Sequence, residues 1–327
     1  MTVKYERSQK IVQLMRESVH DTAWLIEAVS AGIELELATI PVYLCARWSI
    51  NDSGKALTAL RSIVLDEMAH MALMCNLLKG LGVAPRITAM APRYPGPLPG
   101  GVRPELEVYL SGMTHESLEK VMMAIEAPEH PLARESLRET FTSIGAFYEA
   151  VSAALVDEHP TLSASGQLSR PELRVTVLST IDEAVTAMTR IREQGEGTSS
   201  TPFFDGQLAH YYRFGEIFHG RELVETSPGH FEFNGAPVPF PSVLPMARVP
   251  AGGWPNRNPD GQGTLQQVND LYRETLQKLQ DAWDSGGMSS LTQAVMLMTQ
   301  MTQPARKIMR VPLEDGSGNY GPDFVIG

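Results

Sequence analysis

The most restrictive feature of this sequence is a carboxylate and an imidazole in the middle of an apolar helix face. Residues 54–81 repeat apolar side chains at helical spacing. Glu67 lies at the centre of that stripe and His70 lies about 60° from it, counting about 100° per residue. A Glu-x-x-His pair puts both side chains on one face, one turn apart. Because a buried charge is costly unless it is paired or bound to metal, this helix needs partners that complete a site.

A second helical pattern, residues 20–49, supplies one such partner. Glu36 falls about 40° from the centre of its apolar face, whereas Glu34 falls about 120° away and faces outward. If the two helices pack antiparallel, Glu36 lies level with Glu67 and His70. One Glu and one Glu-x-x-His pair on neighbouring helices make half of a ferritin-like site for two metal ions. The alternative for the pair alone is a buried ion pair or a capped histidine.

Helical periodicity continues through most of the chain. Six more helices are predicted, over residues 114–127, 132–158, 170–194, 205–219, 264–284 and 288–309. Pro41 is expected to kink the first long helix near residue 37, because it removes one backbone hydrogen bond. The predicted fold class is all-α: an antiparallel four-helix bundle of the ferritin-like type, with extra C-terminal helices. We expect residues 1–225 to form the metal-binding bundle and residues 226–327 to wrap around it.

Two long segments rich in proline and glycine separate these helices. Residues 83–112 read as a long irregular loop. Residues 226–263 leave room for a small hairpin, in which Phe231–Phe233 and Val238–Phe240 flank a turn at Asn234-Gly235.

Composition and charge exclude several classes of protein. The net charge of −11 argues against nucleic acid as the main partner, because phosphate binding needs clustered Lys and Arg. The sequence contains no uninterrupted run of about 18 apolar residues, so no membrane span is predicted. The N-terminus has no apolar run of signal-peptide length. Cys45 and Cys75 both fall inside helical patterns and do not form a disulfide framework. These features predict a reducing, cytoplasmic location.

The second half of the chain has to supply further carboxylates. Glu149 is the acid nearest the apolar face of the third long helix, although its angle also suits a solvated surface side chain. Glu196 falls at the edge of the apolar stripe of the next helix and is preferred to Glu193, which points nearly opposite. The glycines on either side of Glu196 would let the helix end loosen, so that this carboxylate can reach a metal.

Two histidines compete for the remaining position. His210 has Gln207 three residues before it, where a second Glu-x-x-His pair would have Glu, and this leaves the second metal position in doubt. His219 follows Glu216 at the correct spacing. His210 is preferred, and His219 is kept as the alternative. An oxygen-rich ligand set with one histidine per metal suits iron or manganese better than zinc or copper.

Seven short motifs, taken in chain order, resemble those of a known bacterial family. They are Glu34-Leu-Glu36-Leu-Ala-Thr-Ile-Pro41, Glu67-Met-Ala-His70, Ile125-Glu126-Ala-Pro128, Ile144-Gly-Ala-Phe-Tyr148-Glu149, Glu193-Gln-Gly-Glu196-Gly197, His210-Tyr-Tyr-Arg-Phe214 and Gly321-Pro-Asp-Phe324. Together they resemble the ferritin-like domain of the iminophenyl-pyruvate dimer synthases, a family related to the violacein-pathway dimerising protein and chromopyrrolate synthase. The metal ligands implied by this resemblance are Glu36, Glu67, His70, Glu149, Glu196 and His210.

The resemblance implies metal or redox chemistry on a small molecule. We predict a non-haem oxidoreductase that holds two iron ions, or manganese, and uses O2 to oxidise a small organic substrate in natural-product biosynthesis. Such a substrate would be derived from an amino acid. Tyr148 and Tyr211 are predicted to act beside the metal, with core packing as the alternative for each.

Two other functions are kept as alternatives. One is oxidative dimerisation of aromatic imino acids together with a partner oxidase. The other is a metal-binding bundle without catalytic activity. The oligomeric state is left open, with a homodimer as one option.

Overall fold

Two long helices form the centre of the fold. The computed structural model describes residues 9–128, 143–198, 200–254 and 259–326. After a short helix, the two long helices follow one another: α1 (Lys10–Leu14), α2 (Thr22–Ser49) and α3 (Lys55–Gly80). Asp21 caps α2 by accepting a hydrogen bond from the backbone N of Trp24 (2.9 Å). The helix continues through Pro41 to Ser49, so the proline does not end it.

The α2 helix owes its apolar character to burial. By length and composition it could cross a membrane, but 89% of its apolar stretch is buried inside the protein. Its neighbours in the bundle are α1, α3 and the helix Ile144–Glu158. The helix Thr302–Ile308 from the C-terminal region also packs against it. A helix enclosed on several sides is expected to be apolar around most of its circumference.

Short elements fill the region between α3 and the next long helix. They are two 3-10 turns (Ile87–Met90 and Pro99–Gly101), the paired strands β1 (Gly96–Pro97) and β2 (Glu107–Val108), α4 (His115–Ser117), a π-helical turn (Leu118–Met123) and α5 (Ala124–Glu126). The helix predicted over 114–127 is therefore present but has a π-helical middle. Such turns occur often at functional sites.

A second pair of helices packs against the first. It consists of α6 (Ile144–Glu158) and α7 (Ile181–Glu196). Residues 132–142 of the helix predicted over 132–158 lie outside the described residues. The prediction that α7 begins at residue 170 is wrong. Thr180 and Glu183 form a capping box that starts the helix at Ile181.

Two tight hairpins flank α8 (His210–His219). The first joins β3 (Phe203–Phe204) to β4 (Gln207–Leu208) around Asp205-Gly206, so the helix predicted from residue 205 begins five residues later. The second joins β5 (Arg221–Ser227) to β6 (His230–Pro237).

The turn of the second hairpin lies at Pro228-Gly229 rather than at the predicted Asn234-Gly235. Gly229 has φ of +76°, which favours glycine, and its backbone N donates to the Glu225 carboxylate (2.8 Å). Asn234-Gly235 instead lies within β6.

The C-terminal region packs onto the first helix pair. It contains α9 (Pro259–Asp281), a π-helical turn (Ala282–Gly286), α10 (Gly287–Gln300) and α11 (Thr302–Ile308). The π-helical turn contacts α3, and α11 contacts α2. The proposed boundary at residue 225 falls inside β5, and the division into two domains stays a prediction.

Candidate metal centre

Two groups of buried acidic and histidine side chains meet between α2, α3, α5 and α8. They are Glu36, Glu67 and His70 in one group and Glu67, Glu126 and His210 in the other. Within each group, one ligand atom from each residue lies within 4.8 Å of the others. Relative exposures of the five residues run from 0% to 7%. Glu67 belongs to both groups, so its carboxylate is placed to bridge two ions.

The His70 ring points one nitrogen at carboxylates and the other at an amide. Its Nδ1 lies 3.5 Å from Glu36 Oε2 and 3.8 Å from Glu67 Oε1. Its Nε2 lies 2.9 Å from Oε1 of Gln194, a buried side chain of α7. An outer partner of this kind fixes the tautomer and the orientation of a metal-binding imidazole.

His210 repeats this arrangement with an acidic outer partner. Its Nδ1 lies 2.8 Å from Glu67 Oε1 and 3.7 Å from Glu126 Oε2, while its Nε2 lies 3.3 Å from Asp66 Oδ2. Asp66 in turn pairs with Arg213 Nη1 at 3.2 Å. Asp66 therefore lies on the opposite side of the His210 ring from Glu67.

Hydroxyl groups hold the three cluster carboxylates. Tyr43 donates to Glu126 Oε1 (2.5 Å), Thr39 donates to Glu67 Oε2 (2.9 Å) and Tyr148 donates to Glu36 Oε1. Among the described residues, no Lys or Arg forms an ion pair with any of these carboxylates.

A fourth carboxylate, that of Glu196, lines a small cavity together with the three cluster carboxylates. The cavity measures about 30 Å³ and is also lined by Tyr148. Glu196 is the last residue of α7 and accepts a hydrogen bond from the backbone N of Gly145 (3.0 Å). A Cβ at Gly145 would lie 2.5 Å from Glu196 Oε2, and a Cβ at Gly195 would lie 3.0 Å from Glu126 Oε2. Two glycines therefore make room for two carboxylates.

The structure does not bring Glu149 and Tyr211 to the cluster, and both assignments need correction. The Glu149 side chain is 64% exposed and pairs with Arg192 on the surface. Glu149 is thus a solvated surface side chain, the alternative that the sequence left open, because its position on α6 faces away from the bundle axis. Tyr211 is buried but packs edge-on against Tyr212 at 5.1 Å between ring centroids, and it does not line the cavity. Tyr148 does line it.

Glu126 is the residue that the ligand prediction missed. It occurs in one of the seven motifs and follows Met122 and Met123 at helical spacing, and both methionines are buried. An acid on the buried side of a short helix was the available signal.

The predicted choice of His210 over His219 agrees with the geometry, since His219 stacks on Phe233 (4.2 Å) away from the cluster. Gln207 is exposed and hydrogen-bonds to Arg213 Nη2 (3.0 Å). Gln207 lies outside the cluster, so the absence of a carboxylate at residue 207 does not remove a ligand from the second metal position.

Comparison with known proteins identifies the family. The ferritin-like family description matches residues 29–219, more than half of the chain. The chain belongs to the ferritin-like family. Its structure is similar to the crystal structure of a ferritin-like protein from Caulobacter vibrioides, with a TM-score of 0.65 and 21% identity, covering 91% of this chain and 96% of that one. That likeness shows the fold alone. A comparison with curated sequences gives no significant match. The predicted ferritin-like fold class is confirmed.

Burial and crowding of acids control the protonation of this ferritin-like cluster. Burial, together with the charges of Glu126 and Glu36, raises the pKa of Glu67 to about 8. Burial alone would lower the pKa of His210, but the nearby carboxylates of Asp66, Glu126 and Glu67 outweigh it and hold that pKa well above its usual value. The metal-free cluster therefore retains protons near neutral pH.

The residues fit a pair of divalent cations. His210 Nδ1 is sealed from solvent and has no hydrogen-bond partner of acceptable geometry in the described chain, although Glu67 Oε1 lies only 2.8 Å away. A ring nitrogen that faces two carboxylates without a well-aligned hydrogen bond is suitably placed to coordinate a metal ion. Four buried carboxylates, those of Glu36, Glu67, Glu126 and Glu196, would be balanced by two divalent ions.

Metal affinity is expected to rise with pH. Coordination needs neutral imidazole and ionised carboxylate, so binding displaces the proton held by Glu67 and any held by the two histidines. For each proton displaced, the Kd for Mn²⁺ should tighten by about tenfold per pH unit below the pKa of the group that holds the proton, which is about 8 for Glu67. Calorimetric titration between pH 6 and 8, in buffers of different ionisation enthalpy, measures both the affinity and the protons released. Affinity that stays constant across this range would contradict the assignment.

Proposed function

We propose that the protein is a non-haem di-metal oxidoreductase that holds two iron ions and uses O2 to oxidise a small organic substrate. The observation that supports this most is the pair of His–carboxylate groups that share Glu67. Oxygen-rich ligand sets with one histidine for each metal suit iron and manganese. Ferritin-like folds provide a bundle interior in which such ligands converge.

Bound iron would supply the redox step, in which O2 is reduced by electrons from the metal and the substrate. Glu67, which belongs to both ligand groups, would hold both ions. Tyr43 and Tyr148 keep their phenolic protons, because burial and the neighbouring carboxylates raise the pKa of both well above the usual value. The two phenolic hydroxyl groups orient the carboxylates of Glu126 and Glu36 through these hydrogen bonds.

The size of the cavity supports a second candidate, a metal-binding bundle without catalysis. A volume of about 30 Å³ accommodates ions and water but no organic molecule. An oxidase of this architecture therefore requires its wall, which includes Ile144, Ile191 and Arg192, to move before an organic substrate approaches.

The finer details of the function are proposals of the same kind. The sequence pattern and the resemblance suggest an amino-acid-derived substrate, a role in natural-product biosynthesis and a cytoplasmic location. The oligomeric state is open, with a homodimer as one option. Oxidative dimerisation of aromatic imino acids is a special case of the proposed chemistry. It predicts a coupled product that forms only when an amino-acid oxidase supplies the imino acid.

Anaerobic loading with ferrous iron, followed by exposure to O2, tests the proposal. The wild-type protein is expected to bind about two iron ions per chain and to consume O2 with the appearance of a charge-transfer absorption band. Glu126→Gln should lose the second ion and most of the O2 consumption. Glu149→Gln, a matched change at an exposed glutamate, should behave like the wild type.

The outcomes separate the two candidate functions. Iron binding with O2 consumption that a panel of amino-acid-derived substrates accelerates supports an oxidoreductase. Iron binding without any substrate-dependent O2 consumption supports the non-catalytic bundle. Less than about one ion per chain in the wild type would rule out both, since each requires an intact ligand set.

A further inference from the structure

The two ligand groups of the metal centre have matching inner ligands. We call the group of Glu36, Glu67 and His70 the His70 position, and the group of Glu67, Glu126 and His210 the His210 position. Each position has one histidine, which presents Nδ1 to the shared Glu67. Each also has one glutamate of its own, and a buried tyrosine hydroxyl donates to that glutamate. A comparison of the two positions therefore turns on the groups behind the two histidines.

The residues behind the two histidines differ in charge. Nε2 of His70 lies 2.9 Å from Oε1 of Gln194, a neutral amide, whereas Nε2 of His210 lies 3.3 Å from Oδ2 of Asp66, a carboxylate. When Nδ1 binds a metal, Nε2 carries the ring proton and donates it to this outer partner. A hydrogen bond to an ionised acceptor is about twice as strong as one between neutral groups. Asp66 is the stronger partner even at the longer distance, because a full charge attracts an N–H over a longer range than an amide dipole does.

Arg213 fixes Asp66 in place behind its histidine. Nη1 of Arg213 lies 3.2 Å from Oδ2 of Asp66 and donates to the hydroxyl of Ser62 at 2.9 Å. The side chains of Arg213 and Asp66 are only 10% and 13% exposed, so water screens their attraction little. Gln194, by contrast, makes no second side-chain hydrogen bond within the described ranges of the chain. One histidine is thus held by an anchored carboxylate, and the other is held by a single amide.

We propose that Asp66 is a positioning residue that makes the His210 position bind a divalent cation more tightly than the His70 position. Outer partners of metal-bound histidines contribute about 10–100-fold to affinity, because they fix the ring and raise the basicity of the nitrogen that binds the metal. Arg213 offsets part of the Asp66 charge, so we expect a difference of about tenfold, at the lower end of that range. This inference rests on the metal binding of the proposed function but not on its O2 chemistry.

Two variants that each retain one intact position measure the two affinities separately. Glu36→Gln removes a ligand of the His70 position only, and Glu126→Gln removes a ligand of the His210 position only. Calorimetric titration with Mn²⁺ at fixed pH is expected to give about one ion per chain for each variant. The Kd of Glu36→Gln should be about tenfold lower than that of Glu126→Gln. Equal values, or the reverse order, would overturn the proposal.

Further changes made in these two variants assign the difference to the outer partners. Asp66→Asn should raise the Kd by about tenfold when added to Glu36→Gln, and it should leave the Kd unchanged when added to Glu126→Gln. Gln194→Leu should show the opposite pattern, with its loss of affinity confined to the Glu126→Gln background. Asp157→Asn, a matched change at an exposed aspartate of α6, should alter neither Kd.

The EPR spectrum of the bound Mn²⁺ provides a readout that a general loss of stability would not move. Its line pattern depends on the geometry of the ligands, so Asp66→Asn should change the spectrum in the Glu36→Gln background and not in the Glu126→Gln background. A loss of affinity in both backgrounds would show that Asp66 supports the fold as a whole, and would overturn its assignment to one position.

The same titrations separate this inference from the proposed function. A wild-type protein that binds no Mn²⁺ would contradict both. Two positions of equal affinity would overturn this inference alone, and unequal positions without O2 consumption by the iron-loaded protein would overturn the oxidoreductase alone. The comparison of Glu36→Gln with Glu126→Gln decides the order of affinity even if Asp66→Asn does not fold.

Discussion

Replacement of Glu67 by glutamine is expected to remove metal binding from both positions of the cluster at once. Loss of an outer partner of a metal ligand typically costs 10–100-fold in affinity, and loss of a shared ligand should cost more than about 100-fold. The variant should nevertheless fold. Because the pKa of Glu67 is raised to about 8, its carboxyl is mostly protonated at pH 7 in the metal-free protein, and an amide is a close substitute for it.

Thermal unfolding with and without Mn²⁺ measures this effect. A ligand at about 100 times its Kd stabilises the folded state by about 2.7 kcal/mol, so the wild type should melt at higher temperature with metal. Glu67→Gln should show no such shift. Glu34→Gln, two residues from Glu36 on α2 but outside the cluster, is the matched control and should keep the full shift. A metal-dependent shift that survives in Glu67→Gln would show that Glu67 does not bridge the ions.

Replacement of Asn76 by alanine is expected to be the most destabilising single change outside the metal centre. Asn76 is fully buried in α3, and its amide makes four hydrogen bonds. These are Nδ2 to the carbonyl oxygens of Leu168 and Thr176 (both 2.8 Å), and Oδ1 from the backbone N of Leu168 and from Trp283 Nε1 (both 2.9 Å). Alanine would remove these hydrogen bonds from three buried groups and from the part-buried Thr176 carbonyl, and should lower the free energy of unfolding by about 3–5 kcal/mol.

Denaturant unfolding at fixed metal content provides the measurement. The exposed Asn234 donates a side-chain hydrogen bond to Glu232 (2.9 Å), and Asn234→Ala should change the free energy of unfolding by less than about 0.5 kcal/mol. A loss below about 1 kcal/mol for Asn76→Ala would mean that water or a rearranged segment replaces these hydrogen bonds.

The long helices of the fold could be predicted from the sequence because their signals are local. Periodicity and the Asp21 cap locate α2 and α3 to within two residues, and the angle of each charged residue on its apolar stripe identifies Glu36, Glu67 and His70. These three residues are brought together by one helix pair. A single antiparallel contact was enough to place them.

The errors arise where structure depends on short segments. The third carboxylate was sought on the next long helix, at Glu149, whereas Glu126 on the short α5 supplies it. The π-helical turn before α5 departs from the rotation of about 100° per residue of an α-helix, so an angle counted at that rotation does not locate Glu126. Turn signals were also misread. The sequence predicts a helix that includes Asp205-Gly206, although such pairs favour a hairpin. It predicts a turn at Asn234-Gly235, whereas the turn forms at Pro228-Gly229.

The position of Glu126 at the end of a three-residue helix has a consequence for the metal-free chain. The other central ligands are carried by α2, α3 and α8, which have many further contacts to hold them in place. An ion held by both Glu126 and Glu67 would act as a cross-link between the short helical segment that precedes Pro128 and the long helix α3. Loading the protein would then also restrict the chain leading into Pro128, so that occupancy of the site and order of its rim rise and fall together.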